Sequence, residues 1–306
     1  MVGRACGGGV ATHFVTGGTG VVGRALIADL VADGHTVLAL GRTGQAVHEL
    51  TQAGAEPVFG NLMRPGAWQH DAAKADVIWH LALPRVAPPL RRLRVHRDAK
   101  HAWRGAHHLG ERWDDDRPVI LASNVLVWGD RGAEIVHEDD EPDPVAMGHW
   151  GLASEQALAS PGLRTVRLGW TYGPNGMFTR MILAVGRRQY RIVGAGGNVM
   201  PVISAADAVR ALRAAERAPS GIYAAVEPAA PTQEALVHHI CAELRVTRPD
   251  HISPRMASLS LGGAMADALR ASTNVEALRL GELGWAPVHS WRESLLATTR
   301  PGVGSR

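Results

Sequence analysis

The chain has 306 residues, of which 46% are hydrophobic and 20% charged, with a formal net charge of +3 and two cysteines. That balance is ordinary for a globular protein with a substantial core. No apolar run is long enough to span a bilayer, and the weak, scattered positive charge argues against a nucleic-acid partner. Cys6 and Cys241 fit a reducing cytoplasm, and the start, MVGRACGGGVATHFV, lacks the apolar core of an export signal. The adjacent pairs His107-His108 and His238-His239 lack ligand spacing, so they read as helix surface and no metal is expected.

The first elements lie in residues 14–42, FVTGGTGVVGRALIADLVADGHTVLALGR. A strand ends at Phe14 and Val15, a glycine turn follows, residues 24–32 have helical periodicity, and residues 36–40 make a second strand. Thr16-Gly17-x-x-Gly20-x-x-Gly23 places glycine where the backbone turns and approaches a pyrophosphate. The free N–H groups of Val21, Val22 and Gly23 at the helix start then face the anion. The strand before, the helix opened and the strand after are the context that gives the motif meaning. Sites for NAD usually carry an acid at the end of the second strand, to bind the ribose hydroxyls. Here Gly41 and Arg42 stand there, offering a guanidinium to a 2′-phosphate, so the expected cofactor is NADP(H).

A helix at 46–53 and a short strand at 57–59 follow, the strand ending in Gly60-Asn61-Leu62. Residues 75–83, ADVIWHLAL, read as a buried strand. Residues 84–97, PRVAPPLRRLRVHR, read as a solvated loop and helix start, with a rim for an acidic substrate as the alternative. A helix at 99–113, the acidic Asp114-Asp115-Asp116 and a buried strand at 119–123 come next. Alternation of this kind means a parallel sheet covered on both faces. Residues 289–299 have the apolar spacing of a closing amphipathic helix.

The motif order resembles the extended short-chain dehydrogenase/reductase family of nucleotide-sugar epimerases and dehydratases. TGGTGVVG at 16–23, GNL at 60–62, ADVIWHLAL at 75–83, ILASNVLVWG at 120–129, VRLGWTYGP at 166–174, PVISAADAVRAL at 201–212 and LGWAP at 283–287 carry it. The resemblance implies an α/β fold: a Rossmann-type doubly wound parallel sheet with a smaller interleaved C-terminal substrate lobe. Residues 1–175, with 201–226 returning, would bind NADP(H), and residues 176–200 and 227–306 would form the lobe. It further implies Asn61 and Leu62 near the adenine, Leu81, Ala82 and Leu83 lining the cofactor beside Ser123, and Gly169 and Thr171 close to the nicotinamide.

The same family usually carries a catalytic Ser or Thr and a Tyr-x-x-x-Lys segment. The Ser/Thr position falls on Asn124, beside Ser123, while Trp150 and Ser154 occupy the Tyr and Lys positions; no Lys or Tyr lies between Trp128 and Gly169. Indole N–H donates but does not titrate usefully. Ser123 and Asn124 are candidate donors to a developing alkoxide or holders of a water, and His149 is a titratable neighbour. The departure resembles actinobacterial ketoreductases of aromatic polyketides such as angucyclinones. It implies an NADPH-dependent reduction of a small aromatic ketone with the proton drawn from water or a substrate phenol, with Trp128, Trp150 and Trp170 available to pack on it. The alternatives are an NADP(H)-binding sensor or scaffold without turnover, and a nucleotide-sugar epimerase or dehydratase.

Overall fold

A computed structural model describes residues 9–111, 113, 116–158 and 160–299. Cys6 and the Asp114-Asp115 pair lie outside the described residues. The first half of the chain alternates strand and helix as its hydrophobic pattern requires: β1 (Thr12–Thr16), α1 (Val21–Ala32), β2 (Thr36–Gly41), α2 (Gly44–Gln52), β3 (Glu56–Phe59), α3 (Trp68–Lys74), β4 (Val77–His80), α4 (Arg92–Gly110) and β5 (Val119–Asn124). Then come β6 (Ile135–Val136), α5 (Gly148–Ala157), β7 (Leu163–Leu168), β8 (Trp170–Tyr172), α6 (Met177–Gly186), β9 (Ile192–Val193), β10 (Val202–Ser204), α7 (Ala205–Glu216) and β11 (Gly221–Ala225). The chain continues through α8 (Gln233–Leu244), β12 (His251–Ile252), α9 (Pro254–Leu261), α10 (Gly263–Arg270), β13 (Asn274–Val275), α11 (Leu278–Glu282) and α12 (Trp291–Thr299).

Seven parallel strands form the main sheet in the order β11-β7-β5-β4-β1-β2-β3. The chain runs outward from β1 to β3, then returns to the other side of β1 as β4. The carboxyl ends of β1 and β4 therefore flank a topological switch point, where ligands bind in open α/β sheets. Parallel strands covered on both faces are apolar throughout, and all four β4 residues are buried. One face packs Leu26, Ile27 and Leu30 of α1 with Ala208 and Leu212 of α7. The other packs Phe14, Ile78 and Leu121 against Trp68 of α3 and Ala106 and Leu109 of α4.

A third cluster joins Trp150, Phe178, Leu236, Leu269, Trp291 and Leu295. Around it the short pair β9–β12 joins two later segments to each other, while β8–β10 and β6–β13 tie later segments to earlier ones. In the last pair Ile135 and Val136 meet Asn274 and Val275, so the C-terminal part borrows a strand from the first 175 residues.

α3 has no counterpart among the elements expected from the sequence, and two of those expected differ most in their bounds. β4 stops at His80, not at residue 83, because the chain leaves the ladder where the Gly17 turn abuts it: a Cβ on Gly17 would lie 2.6 Å from the Leu81 carbonyl carbon. α4 begins at Arg92, seven residues earlier than expected. Leu90, fully buried and bonded through its N–H to the Leu261 carbonyl at 2.7 Å, anchors the chain just before it.

Candidate functional site

The glycine turn is built around a close approach. Gly17 has φ +77°, a region unfavourable for residues with a Cβ, and Gly20 N–H donates to the Gly17 carbonyl at 2.9 Å. A Cβ on Gly23 would sit 2.3 Å from that same carbonyl oxygen, so the first turn of α1 packs directly on the loop. No side chain caps α1, and its first turn holds no acid. The N–H groups of Val21, Val22 and Gly23 thus begin a helix whose partial positive charge is not offset by a side chain. This backbone cradle fits a pyrophosphate. Thr16 is turned elsewhere: its Oγ1 lies 2.7 Å from Nδ1 of His80, buried between β1 and β4, where burial pushes the His80 imidazole down to about 4.

Arg42 follows β2 directly. It is exposed and has neither a side-chain hydrogen bond nor an ion pair with a described residue, whereas other arginines of the fold are paired, Arg24 with Glu49 at 2.7 Å and Arg167 with Glu155 at 2.7 Å among them. Gly41 is buried, with Val47 and Leu50 of α2 standing 3.3 Å from where a Cβ would be. Asn61 is exposed, and its Oδ1 accepts from Met63 N–H at 3.0 Å, which shapes the Gly60-Asn61-Leu62 turn. Leu81, Ala82 and Leu83 are half-buried beside the Gly17 turn. Gly169 is buried, its N–H on the Ala225 carbonyl, and Thr171 bonds the Gly169 carbonyl at 3.0 Å. Val21 reaches the YGP turn from below, since a Cβ on Gly173 would lie 2.9 Å from its side chain.

Ser123 and Asn124 end β5, in register with Arg167 and Leu168 of β7. The Ser123 hydroxyl donates to Glu155 Oε1 at 2.6 Å. Glu155, on α5, is held by Arg167 through Nε at 3.1 Å and Nη2 at 2.7 Å, and this two-armed pair is almost wholly shielded from solvent. The Arg167 guanidinium also lies over the Trp128 ring, 4.5 Å from its centroid. Asn124 donates through Nδ2 to the Met147 carbonyl at 3.3 Å, and its buried Oδ1 has no partner. The Ser123 donor is thus committed, and an oxyanion role asks it to leave Glu155, whereas the Asn124 amide keeps a second N–H beside the one on Met147. A Cβ on Gly151 would sit 2.4 Å from Ser123 Oγ, so α5 presses closely on the end of β5 at this point.

Trp150 is buried, and its Nε1 donates to the Val95 carbonyl of α4 at 3.1 Å. Ser154, fully buried, donates to the Trp150 carbonyl at 3.2 Å. These two positions join α5 to the core and present no titratable group. Trp128 and Trp170 are buried as well, and Trp128 Nε1 donates to the Asp140 carbonyl. By sequence the three tryptophans could equally pack on a substrate or fill the core, and they lie in one buried hydrophobic cluster. His149 faces His96, ring centroids 5.4 Å apart, and burial followed by that neighbour lowers its pKa.

The arginine-rich segment is largely consumed by the fold. Arg94 bonds the Ala87 and Arg85 carbonyls and pairs with Asp98, Arg97 also reaches Asp98, and Arg92 pairs with Asp267 of α10. Two residues that the sequence reading passed over organise the site's floor, Glu155 and Arg167. The signal for them was an arginine inside LRTVRL, a strand otherwise fit for burial, which requires a buried acceptor nearby. Glu227 is a third: buried, pushed up to about 7 by burial, and accepting Trp291 N–H at 2.6 Å, it ties down the start of α12. Beside it, burial and the Glu227 carboxylate push the Tyr172 hydroxyl's pKa up. Among the described residues no group of three or more His, Cys, Asp or Glu side chains is placed to hold a metal, and no helix is long and apolar enough to cross a membrane.

The model of the NAD dependent epimerase/dehydratase family matches residues 13–224. A 3-diazoavenalumate denitrifying reductase of a Streptomyces species is 29% identical over 92% of this chain and 98% of its own length. A Stigmatella aurantiaca protein, 4-hydroxy-2-methyl-3-oxo-4-farnesyl-3,4-dihydroquinoline-1-oxide ketoreductase, is 41% identical over 69 residues, 22% of this chain and only 21% of that protein. Among solved structures, a human epimerase family protein crystallised with NADPH has a TM-score of 0.77 at 21% identity, over 93% of this chain and 97% of the other. The UDP-glucose 4-epimerase of Thermotoga maritima, with UDP-glucose, has a TM-score of 0.75 at 20% identity, over 94% and 97%. At such identities the likeness speaks for the fold.

Proposed function

The chain belongs to the NAD dependent epimerase/dehydratase family, and on that premise we propose that it is an NADPH-dependent ketoreductase acting on a small aromatic ketone of polyketide type. The backbone of Gly17, Gly20, Val21, Val22 and Gly23 would hold the pyrophosphate, and Arg42 the 2′-phosphate. Asn61 and Leu62 would flank the adenine, with Leu81, Ala82, Leu83, Gly169 and Thr171 lining the rest. Bound there, the nicotinamide supplies a hydride to the carbonyl carbon. Two relatives named as a ketoreductase and a reductase support the redox reading. In this reading residues 1–175 and 201–226 carry the cofactor, residues 176–200 and 227–306 carry the substrate, and the protein works in the cytoplasm.

The observation that carries the proposal is the state of Trp150 and Ser154. With the indole N–H on Val95 and the serine hydroxyl on Trp150, no side chain in these positions gives or takes a proton. Ketone reduction tolerates this better than epimerisation or dehydration. The carbonyl oxygen, once the carbon has taken hydride, collects its proton from water or from a phenol on the substrate, whose pKa of about 10 resembles that of a tyrosine. An epimerase or dehydratase must remove a hydroxyl proton as hydride leaves, a step that needs a base. A second reading, an NADP(H)-binding sensor without turnover, is favoured by the commitment of the Ser123 hydroxyl to Glu155.

NADPH deuterated at C4, incubated with the protein and an aromatic polyketide ketone, separates the two. Deuterium on the carbinol carbon of the product supports the ketoreductase. Tight NADPH binding with no labelled alcohol supports the sensor.

A further inference from the structure

A small pocket opens in the C-terminal part of the molecule, where the chain leaves α6 for β9 and α8 for β12. It has a volume of about 140 Å³ and is lined among others by Arg188, Tyr190, Arg191, Thr247, Arg248 and Asp250. We propose that it is a binding site for a small tetrahedral oxyanion, a phosphate group, distinct from the cofactor cradle.

Three features point to an anion. Three guanidinium groups line the pocket against one carboxylate, Asp250. The Arg188 and Arg248 side chains have neither a hydrogen bond nor an ion pair with a described residue, whereas Arg191 is fixed in place by donating through Nη1 to the Arg188 and Tyr190 carbonyls. That leaves Nε and Nη2 of Arg191 without a partner among the described residues. Guanidinium forks of this kind match a phosphate's oxygens in geometry as well as charge.

The second feature is where the arginines stand. Cations at helix C-termini are favoured by the helix dipole alone, which accounts for Arg188 just beyond α6. The dipole does not account for Arg248, four residues past α8.

The third feature is size. The volume lies below the ~300–1,000 Å³ of sites for drug-sized ligands, and a phosphate ion or the phosphate end of an ester fits it. The parallel pairs His251 with Ile192 and Ile252 with Val193 join the two segments just beyond the pocket. An anion there would bridge the same two segments from the other side.

The test is calorimetric titration of the NADPH-saturated protein with inorganic phosphate and, separately, with glycerol 3-phosphate, at ionic strength held constant with chloride. Saturation with NADPH keeps the glycine cradle from taking the added phosphate. The expected result is saturable one-site binding that Arg248→Ala or Arg188→Ala weakens at least tenfold, with Lys74→Ala unchanged. Binding of the free ion alone, or of the ester as well, supports the site and states which source it takes. No saturable binding of either ligand, or binding that all these variants leave as it was, overturns the proposal; Arg188 and Arg248 are both exposed, so either variant keeps the test valid if the other folds poorly.

Discussion

Ser123 gives its hydroxyl hydrogen bond to Glu155 across 2.6 Å, at the place where the family resemblance puts reaction chemistry. Arg167 holds the same carboxylate with two further bonds, so the end of β5 rests on a buried ion pair. Breaking such a pair from one side leaves the other charge uncompensated, at a cost of about 3–5 kcal/mol, whereas replacing both partners with apolar residues is far milder. Arg167→Met and Glu155→Leu should each lower the urea midpoint strongly, and the double variant should recover much of the loss. Additive losses in the double variant would show that the pair is not coupled.

Restoring a Tyr and a Lys should not restore the usual chemistry. Trp150 is buried and bonded to Val95, and Ser154 is fully buried. A Tyr at 150 leaves a cavity, and a Lys at 154 places an ammonium where no carboxylate is prepared for it. Trp150→Tyr combined with Ser154→Lys should lower the melting temperature and leave ketone turnover no faster than wild type. A rise in kcat of tenfold or more would mean that these positions do face the reacting groups.

Arg42, exposed and without a side-chain partner among the described residues, predicts cofactor preference. A charge-assisted hydrogen bond to phosphate contributes about 1.5–3 kcal/mol, so Arg42→Ala should weaken NADPH by roughly one to two decades and NADH hardly at all. Fluorescence titration with both cofactors measures this, and equal losses would remove Arg42 from the 2′-phosphate site.

Acid should destabilise the fold through two buried histidines. Burial is the main cause that lowers both His13 and His80 to about 4, from 6.5. A depressed folded-state pKa means that the unfolded chain binds the extra proton first. The stability these groups contribute is therefore full above pH 6.5 and is lost as pH falls toward 4. Glu227, raised to about 7, acts in the opposite sense, its contribution being lost as pH rises from 4.5 through 7. Two histidines outweigh one carboxylate, so the urea midpoint should fall between pH 6.5 and 4.5, and His80→Gln should flatten that slope. A midpoint that rises on acidification would contradict this balance.

The front of the molecule was legible because its information is local. Glycine spacing, a helical period and the residue after β2 lie within thirty residues, and the structure builds β1, α1 and β2 from them. The floor of the site was not legible, because Glu155 and Arg167 meet only when α5 packs on the β5–β7 pair. Composition cannot tell a tryptophan in a cleft from one in a core; the partners of Trp128 and Trp150, backbone carbonyls of Asp140 and Val95, are set by tertiary packing. The early start of α4 is likewise tertiary, resting on Leu90 against Leu261 and on Arg94 reaching carbonyls up to nine residues back.

Steady-state turnover across a substrate panel tests the account most directly. The purified protein and NADPH are mixed in turn with aromatic polyketide ketones, simple ketones and nucleotide sugars, while cofactor absorbance and product are followed. The account predicts NADPH oxidation and an alcohol product with an aromatic polyketide ketone, and none with the nucleotide sugars. NADPH that binds tightly and is consumed by no ketone, or an epimerised nucleotide sugar, would contradict it.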